Sequence, residues 1–325
     1  MKLSVIIPTR NRCVLLGETL DSIKNQSLST ESFEVIVVDN GSTDDTKRVV
    51  ESYMGSLTNL RYEFVSEPGL HEGRHGGLAA SRGDILIYID DDIEAFPKWL
   101  ETYADVFSDQ SVVMAGGNNI PKFLEEPPQW LLALWEQSLS NEGRILSTLS
   151  LLERFGDRRE FSPHLVWGCN FAIRKSILLE CGGFHPDGVP KELIRYRGDG
   201  ETSVSQYIVD QGLKCVFDPE ASVYHKVTAG RMTHTYFRDR GYAQGISDSY
   251  TTFRNGGKLV RNDSLFTRIL RRLKKMLLDK LFLPKESQDA LRMFSLGYRA
   301  GYNFHQKCFR EDKSVRDWVV KEKYY

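Results

Sequence analysis

Residues 85–100 read ILIYIDDDIEAFPKWL: five apolar residues run straight into Asp90, Asp91 and Asp92. A segment this apolar reads as a buried strand, yet it ends in three adjacent carboxylates. Neighbouring carboxylates repel and raise one another's pKa unless a cation or polar ligand compensates them. Positive charge is therefore expected at the strand's end. Working outward, the first 120 or so residues alternate apolar strands with helical segments: LSVIIP, VLLGETLDSIKNQ, FEVIVVDN, DDTKRVVESYM and LRYEFVS precede the aspartate strand. Such alternation implies βαβ units and an α/β fold with a mainly parallel, Rossmann-like sheet. Sheets of this kind bind ligands beyond the carboxyl ends of their strands. Asp39, after EVIVV, and the three aspartates, after DILIYI, both fall there.

The 325 residues are 41% hydrophobic, enough for one large domain or two smaller ones. A formal net charge of -1 argues against a dedicated nucleic-acid binder. Cys13, Cys169, Cys181, Cys215 and Cys308 are scattered, without CxxC or zinc-finger spacing, which favours a reduced compartment and core packing. The opening MKLSVIIPTRNR is too short in apolar residues for a secretory segment. No stretch reaches the roughly 18 apolar residues needed to span a bilayer. A cytoplasmic location is expected, with attachment to the inner membrane face left open.

Between 120 and 165 the pattern loosens around EEPPQW and a helix-like WLLALWEQ, and reads as a surface excursion. HLVWGCNFAIRKSILLECGGF then gives a strand and a short helix. RGDGETSVSQYIVDQG is a helix opened by acidic and hydroxyl residues and closed by Gly212. KCVFDPEASVYH splits into two short strands at Pro219, and from about 230 the chain turns helical and more basic. Residues 262–283 place Leu265, Ile269, Leu273, Met276 and Leu277 on one helical face among arginines and lysines. That segment reads either as a helix packed on the rest of the chain or as an interfacial helix drawn to anionic lipid.

The aspartate cluster suits Mg2+ or Mn2+, hard cations that bind one or two carboxylates and leave positions for phosphate oxygens; the competing reading is a solvated turn. In VVDNGSTDDT, Asp39 could accept the imide N–H of a uracil, while the following helix start offers backbone donors. Ser42, Thr43 or Asp44 could equally cap that helix. PGLHEGRHGGLAASRGD is a glycine-rich, basic approach to the aspartate strand, with Arg74 placed to meet a diphosphate or to pair with the aspartates.

Taken in order, SVIIPTRNR, EVIVVDNGSTDDT, GLHEGRHGGLAASRGDILIYIDDD and GDGETSVSQYIVDQG resemble the inverting glycosyltransferases of family 2, over about two thirds of the chain. The resemblance implies a glycosyltransferase A-type (GT-A) mixed sheet, binding a nucleotide-diphospho-sugar and Mn2+ or Mg2+. It divides the chain into a catalytic region over 1–230, with 120–165 as an acceptor-side excursion, and a helical extension over 231–325 that is acceptor- or membrane-facing. By carry-over, Pro8, Thr9, Arg10, Arg12, Asp39, Asn40, Gly41, Arg74, Asp90 and Asp91 would bind the donor nucleotide. Asp92 would be the principal metal ligand, with Asp90 and His225 beside it. Trp167 and Asn170 lie where the family lines the sugar pocket.

Family members supply a general base from a Glu-Asp pair at the start of the helix that here reads GETSVSQYIVDQG. In this chain Gly200 stands where the pair's glutamate would be, so the base lies between Glu201 and Asp199, with Glu201 preferred. A second departure is His75, where the family has asparagine. The implied activity is a hexosyl or N-acetylhexosaminyl transfer from a UDP-sugar to a glycan or lipid-linked acceptor in cell-surface polysaccharide synthesis. A nucleotidyltransferase is disfavoured because IIPTRNR holds no glycine, and a dinucleotide-dependent oxidoreductase because no GxGxxG follows the first strand. A non-catalytic scaffold on a degenerate transferase fold remains the alternative.

Overall fold

The computed structural model describes residues 2–256 and 283–325. The first part of the chain forms β1 (Leu3–Thr9), α1 (Cys13–Lys24), β2 (Phe33–Asp39), α2 (Thr46–Tyr53), β3 (Leu60–Phe64), α3 (Leu70–Ala80), β4 (Ile85–Ile89), β5 (Ile93–Ala95), α4 (Trp99–Val106) and β6 (Val112–Gly116). There follow β7 (Asn119–Phe123), α5 (Gln129–Gln137), β8 (Gly143–Leu146), β9 (Leu151–Arg154), β10 (Arg159–Glu160), β11 (Asn170–Arg174), α6 (Lys175–Glu180), α7 (Thr202–Asp210), β12 (Lys214–Phe217) and β13 (Val223–Val227). Helices α8 (His234–Arg254), α9 (Lys285–Glu311) and α10 (Lys313–Val319) complete the described chain.

Eight strands make one sheet in the order β10-β12-β6-β11-β4-β1-β2-β3, and five make a second in the order β5-β13-β7-β9-β8. β3, β2, β1 and β4 run parallel, as the alternation predicts, and β11 enters antiparallel between β4 and β6. β1, β2 and β4 are mostly apolar and buried because both their faces are covered, whereas β3, LRYEF, lies part-exposed at the sheet's edge. Val5, Ile7, Val35, Val37, Ile85 and Ile87 pack against Leu16 and Leu20 of α1, Val50 of α2 and Trp99 and Tyr103 of α4. Ile6, Ile36, Val38, Leu86 and Tyr88 point the other way, to Leu78 of α3, Leu178 of α6 and Ile208 of α7.

Two features differ from the sequence reading. The glycine-rich stretch before the aspartate strand is helix α3 rather than an open approach. Its glycines serve close packing: a Cβ on Gly77 would lie 2.2 Å from Ile6 Cγ2, and one on Gly76 2.6 Å from Val65 Cγ2. The loosened stretch at 120–165 carries β7, β8 and β9, three of the five strands of the second sheet. Its residues are mixed in polarity because much of it is only half-buried, so no alternation stands out. The basic stretch expected to be amphipathic at 262–283 lies, but for Leu283, outside the described residues. Among the described residues no helix is long and apolar enough to cross a membrane.

β4 and β5 are separated only by Asp90, Asp91 and Asp92, so the aspartates mark the point where the chain leaves the first sheet for the second. Farther on, α8 and α9 run side by side in the same direction. Gly241 and Gly245 of α8 meet the carbonyls of Phe294 and Tyr298, while Gly297 and Gly301 of α9 meet those of Arg238 and Tyr242. A Cβ on Gly245 would sit 2.1 Å from the Tyr298 oxygen, closer than any side chain tolerates. Gly245→Leu should therefore force the helices apart and lower stability by about 1–3 kcal/mol in urea unfolding. Gly55→Ala, at a glycine with open space around it, should change stability by less than about 0.5 kcal/mol.

Candidate active site

The carboxyl ends of β1, β2 and β4 meet in one place because β1 pairs in register with both neighbours, Thr9 opposite Asp39 and Ile6 opposite Tyr88. Thr9 donates its hydroxyl to Asp91 Oδ2 at 2.7 Å. Arg12, just before α1, forks across two aspartates, with Nη1 2.5 Å from Asp91 Oδ1 and Nη2 2.8 Å from Asp92 Oδ2. The Thr19 hydroxyl of α1 lies 2.9 and 2.8 Å from the carbonyls of Asp91 and Ile93 and fixes the backbone of the cluster. From the second sheet, Lys226 N–H donates to the Asp92 carbonyl, which brings His225 of β13 and the following turn against Asp92.

Asp92 is fully buried. Its Oδ2 also meets Arg231 Nη2 at 3.0 Å, and Arg231 Nη1 lies 3.0 Å from His225 Nε2. Its Oδ1 has no hydrogen-bond donor; His225 Nε2 lies 3.4 Å away, outside hydrogen-bonding geometry. Asp90, Asp92 and His225 each offer a ligand atom, and these atoms lie within 4.8 Å of one another. A buried carboxylate oxygen without a donor beside a second carboxylate and an imidazole fits a hard divalent cation.

The charges are unequal in their effects. Burial, together with the charge of Asp92, raises the Asp90 carboxyl above its ordinary range, and Arg74 only partly offsets this. Burial pushes Asp91 up to about 7 despite Arg12, with Asp92 adding to the rise. At Asp92 burial works in the same direction, but His225, Arg231 and Arg12 outweigh it and hold the carboxyl well below the usual range. Positive charge brought to the cluster would favour the ionised form of both Asp90 and Asp91.

Asp39 ends β2 with Oδ1 accepting from Ser42 N–H at 2.7 Å and Oδ2 accepting from Tyr62 hydroxyl at 2.8 Å. Gly41, at φ +78°, supplies the left-handed residue that this tight turn requires. Burial and the bond to Asp39 push the Tyr62 hydroxyl up to about 12. Arg10 is exposed and Pro8 is buried at the sheet's end, where Gly73 of α3 comes close. Asn40 departs from the nucleotide-contact expectation. Its amide nitrogen donates to the Val65 and Glu67 carbonyls and its oxygen accepts from Gly69 N–H, so the side chain braces a loop.

Across from the aspartates, Arg74 of α3 is buried and donates to Glu201 Oε2 at 3.2 Å, while the charge of Asp90 also acts on it. Glu201 Oε1 accepts from Gly168 N–H at 3.3 Å. A Cβ on Gly168 would lie 1.8 Å from Arg74 Nη2, so a side chain there would have to displace the guanidinium. The Glu201 side chain is 23% exposed and makes no helix-cap bond. Asp199 is different: its Oδ1 pairs with His185 Nδ1 and its Oδ2 accepts from Thr251 hydroxyl, both at 2.7 Å, and its side chain is 6% exposed. His75 faces away from the aspartates, accepting Phe184 N–H and packing on the Tyr325 ring, and burial brings its pKa down to about 4.

Trp167 is half-buried, with its indole N–H donated to the His164 carbonyl. Asn170 contradicts the sugar-contact expectation. It is 1% exposed, its oxygen accepts from Trp99 Nε1 and Tyr103 hydroxyl, and its nitrogen donates to the Ala221 and Asn118 carbonyls. Every polar valence is used inside the core, leaving none for a ligand. Sequence reasoning missed Thr19, Tyr62, Gly168 and Arg231. Only Tyr62 had a usable signal, the parallel register that sets it beside Val37, two residues from Asp39.

The family model described as Glycosyl transferase family 2 matches residues 4–182. A glucosyl-dolichyl phosphate glucuronosyltransferase of Haloferax volcanii is 23% identical over 314 residues, 93% of this chain and 95% of that protein. A GalNAc(5)-diNAcBac-PP-undecaprenol beta-1,3-glucosyltransferase of Campylobacter jejuni is 37% identical over 117 residues, 33% of this chain and 37% of that one. Among solved structures, a mannosyltransferase of Pyrobaculum calidifontis in complex with GDP-Man and Mn2+ superposes with a TM-score of 0.56 at 18% identity, covering 99% of this chain and 84% of that one. S. aureus TarS 1-349 in complex with UDP-GlcNAc gives 0.50 at 16% identity, covering 96% and 92%.

Replacing Asn170 by alanine would strand the indole N–H, the tyrosine hydroxyl and two carbonyls. Asn170→Ala should cost about 3 kcal/mol in denaturant unfolding and leave the affinity of the surviving folded protein for nucleotide unchanged in calorimetry.

Proposed function

The chain belongs to glycosyltransferase family 2 and has the A-type α/β fold, and from that premise we propose an inverting, metal-dependent transferase. It would move a hexosyl or N-acetylhexosaminyl unit from a UDP-sugar to a hydroxyl of a glycan or lipid-linked acceptor. Cell-surface polysaccharide synthesis at the inner membrane face is the setting that suits such a donor and acceptor. The observation that carries the reading is Arg74, which lies between a part-exposed carboxylate, Glu201, and the aspartate cluster.

Each residue then has a task. Asp92, Asp90 and His225 would hold Mn2+ or Mg2+, which supplies Lewis-acid stabilisation of the charge on a departing diphosphate. Each Asp39 oxygen takes one hydrogen bond and keeps a second lone pair, which could accept a base N–H such as the imide of uracil. Thr9 and Arg12 orient Asp91 at the donor's side of the cleft. Trp167 presents a half-buried indole on which a sugar face could stack.

Glu201 would accept the acceptor's proton as its oxygen forms the new bond to the anomeric carbon. The bond from that carbon to the phosphate oxygen breaks, and the electron pair leaves with the nucleoside diphosphate. One displacement with one base turns an α-linked donor into a β-linked product. Asp199 is disfavoured as the base because its side chain is nearly sealed from solvent, 6% exposed against 23% for Glu201, and its two bonds, at 2.7 Å, are the shorter ones. The lipid-linked acceptor draws support from the two relatives named for dolichyl phosphate and undecaprenol substrates.

Calorimetry with UDP, GDP, dTDP and CMP, each with Mn2+ and with chelator, should show metal-dependent binding strongest for UDP. A preference for GDP would replace the donor and keep the family, whereas no binding by folded protein would favour a non-catalytic scaffold. Glu201→Gln should lower turnover by about 100-fold or more with UDP affinity retained. If Asp199→Asn does this and Glu201→Gln does not, the base has been misassigned.

A further inference from the structure

Arg231 stands on the short turn Ala229–Arg231 after β13, outside every motif that marked the site. Its guanidinium reaches two of the three groups in the cation triad, Asp92 Oδ2 and His225 Nε2, each at 3.0 Å. Arginine has donors only. His225 Nε2 must therefore present its lone pair to Arg231, and that is the lone pair a metal would take. On Asp92, Arg231 holds Oδ2, which Arg12 Nη2 also holds, while Oδ1 has no donor. A guanidinium and a divalent cation cannot share the imidazole lone pair, since each needs it and the site is buried.

Arg12 does not compete in this way. It divides its fork between Asp91 and Asp92 and makes no bond to His225. Among the described residues Arg231 is the one guanidinium that lies on both the carboxylate and the imidazole, so a cation that takes the imidazole displaces Arg231. Once displaced it is a mobile guanidinium, 22% exposed at its side chain, next to a site that would receive a diphosphate. Planar guanidinium forks match phosphate oxygens well.

Resting on the transferase reading above, we propose that Arg231 is an exchange residue that makes cation and donor bind as a unit. In the free protein it serves as counter-ion to Asp92 and blocks the lone pair of His225, which weakens binding of a cation alone. When cation and nucleoside diphosphate arrive together, the cation takes Asp92 and His225 while Arg231 turns to the diphosphate. The loss of one set of contacts is offset by the other, so each ligand strengthens the binding of its companion.

The test is calorimetry on the full chain with Mn2+ alone, and with UDP in the presence of Mn2+, for wild type, Arg231→Gln and Arg231→Lys. Arg231→Gln should bind Mn2+ alone about 10-fold more tightly and UDP with Mn2+ about 10-fold more weakly, the scale of one charge-assisted hydrogen bond. Opposite signs in the two titrations are the signature, because a general loosening of the site would weaken both. Arg231→Lys keeps the charge and loses the fork, so it should leave Mn2+ binding near wild type and still weaken UDP; it also serves if the glutamine variant fails to fold. Unchanged or weaker Mn2+ binding in Arg231→Gln, or undiminished UDP binding in both variants, overturns the proposal. Wild type that binds neither Mn2+ nor UDP overturns the transferase reading instead, so the two failures are distinguishable.

Discussion

Three carboxylates sit where the chain crosses from one sheet to the other, and their charge has to be balanced within a few ångströms. Arg12 comes from the first βα unit; His225 and Arg231 come from the last strand of the second sheet and the turn after it. Sequence positions more than 200 residues apart are thus tied by one electrostatic requirement. Backbone pairing follows the same seam, with Lys226 N–H on the Asp92 carbonyl and Thr19 on the carbonyls of Asp91 and Ile93. A buried carboxylate stripped of its partners costs several kcal/mol, so the two sheets hold their relation only while the cluster is compensated.

Much of this was legible because the parallel strands are covered on both faces and therefore carry unbroken apolar runs. LSVIIP, EVIVV and ILIYI could be nothing but buried segments, and the polar residues at their ends had to gather at one edge. The second sheet was not legible, since half-buried strands of four or five residues such as β7 and β8 carry no clean alternation. Helix α3 was obscured for another reason. Glycine reads as a loop-former, yet here it permits a helix to lie against Ile6 and Val65 closer than a Cβ would allow without a shift.

Site residues divide along the same line. Asp39 and the aspartate cluster announce themselves because a strand end fixes where their side chains go. Asn170 misled because it opens a strand three residues after a tryptophan, a pattern that does not reveal on which face the amide lies; in the fold it faces Trp99 and Tyr103. Arg231 gave no local signal at all. Its significance comes from a turn that returns it to His225, six residues earlier, and through it to Asp92.

Asp199 and Glu201 show how finely environment separates like groups. Gly200, at φ +58°, turns the backbone between them, so the two carboxylates point into different surroundings. Asp199 enters a layer built by the helical extension, where His185 is flanked by the rings of Tyr250 and Tyr324 and Thr251 supplies the second bond. Glu201 instead meets Arg74 and the Gly168 amide and keeps part of its surface open. Paired carboxylates can acquire different roles when one is sealed from solvent and the other is left reachable. On that argument the extension does more than pack on the first sheet: by engaging Asp199 it anchors the loop that carries Glu201, and under the proposed mechanism the choice between the two acids would be made by residues about 50 to 125 positions downstream.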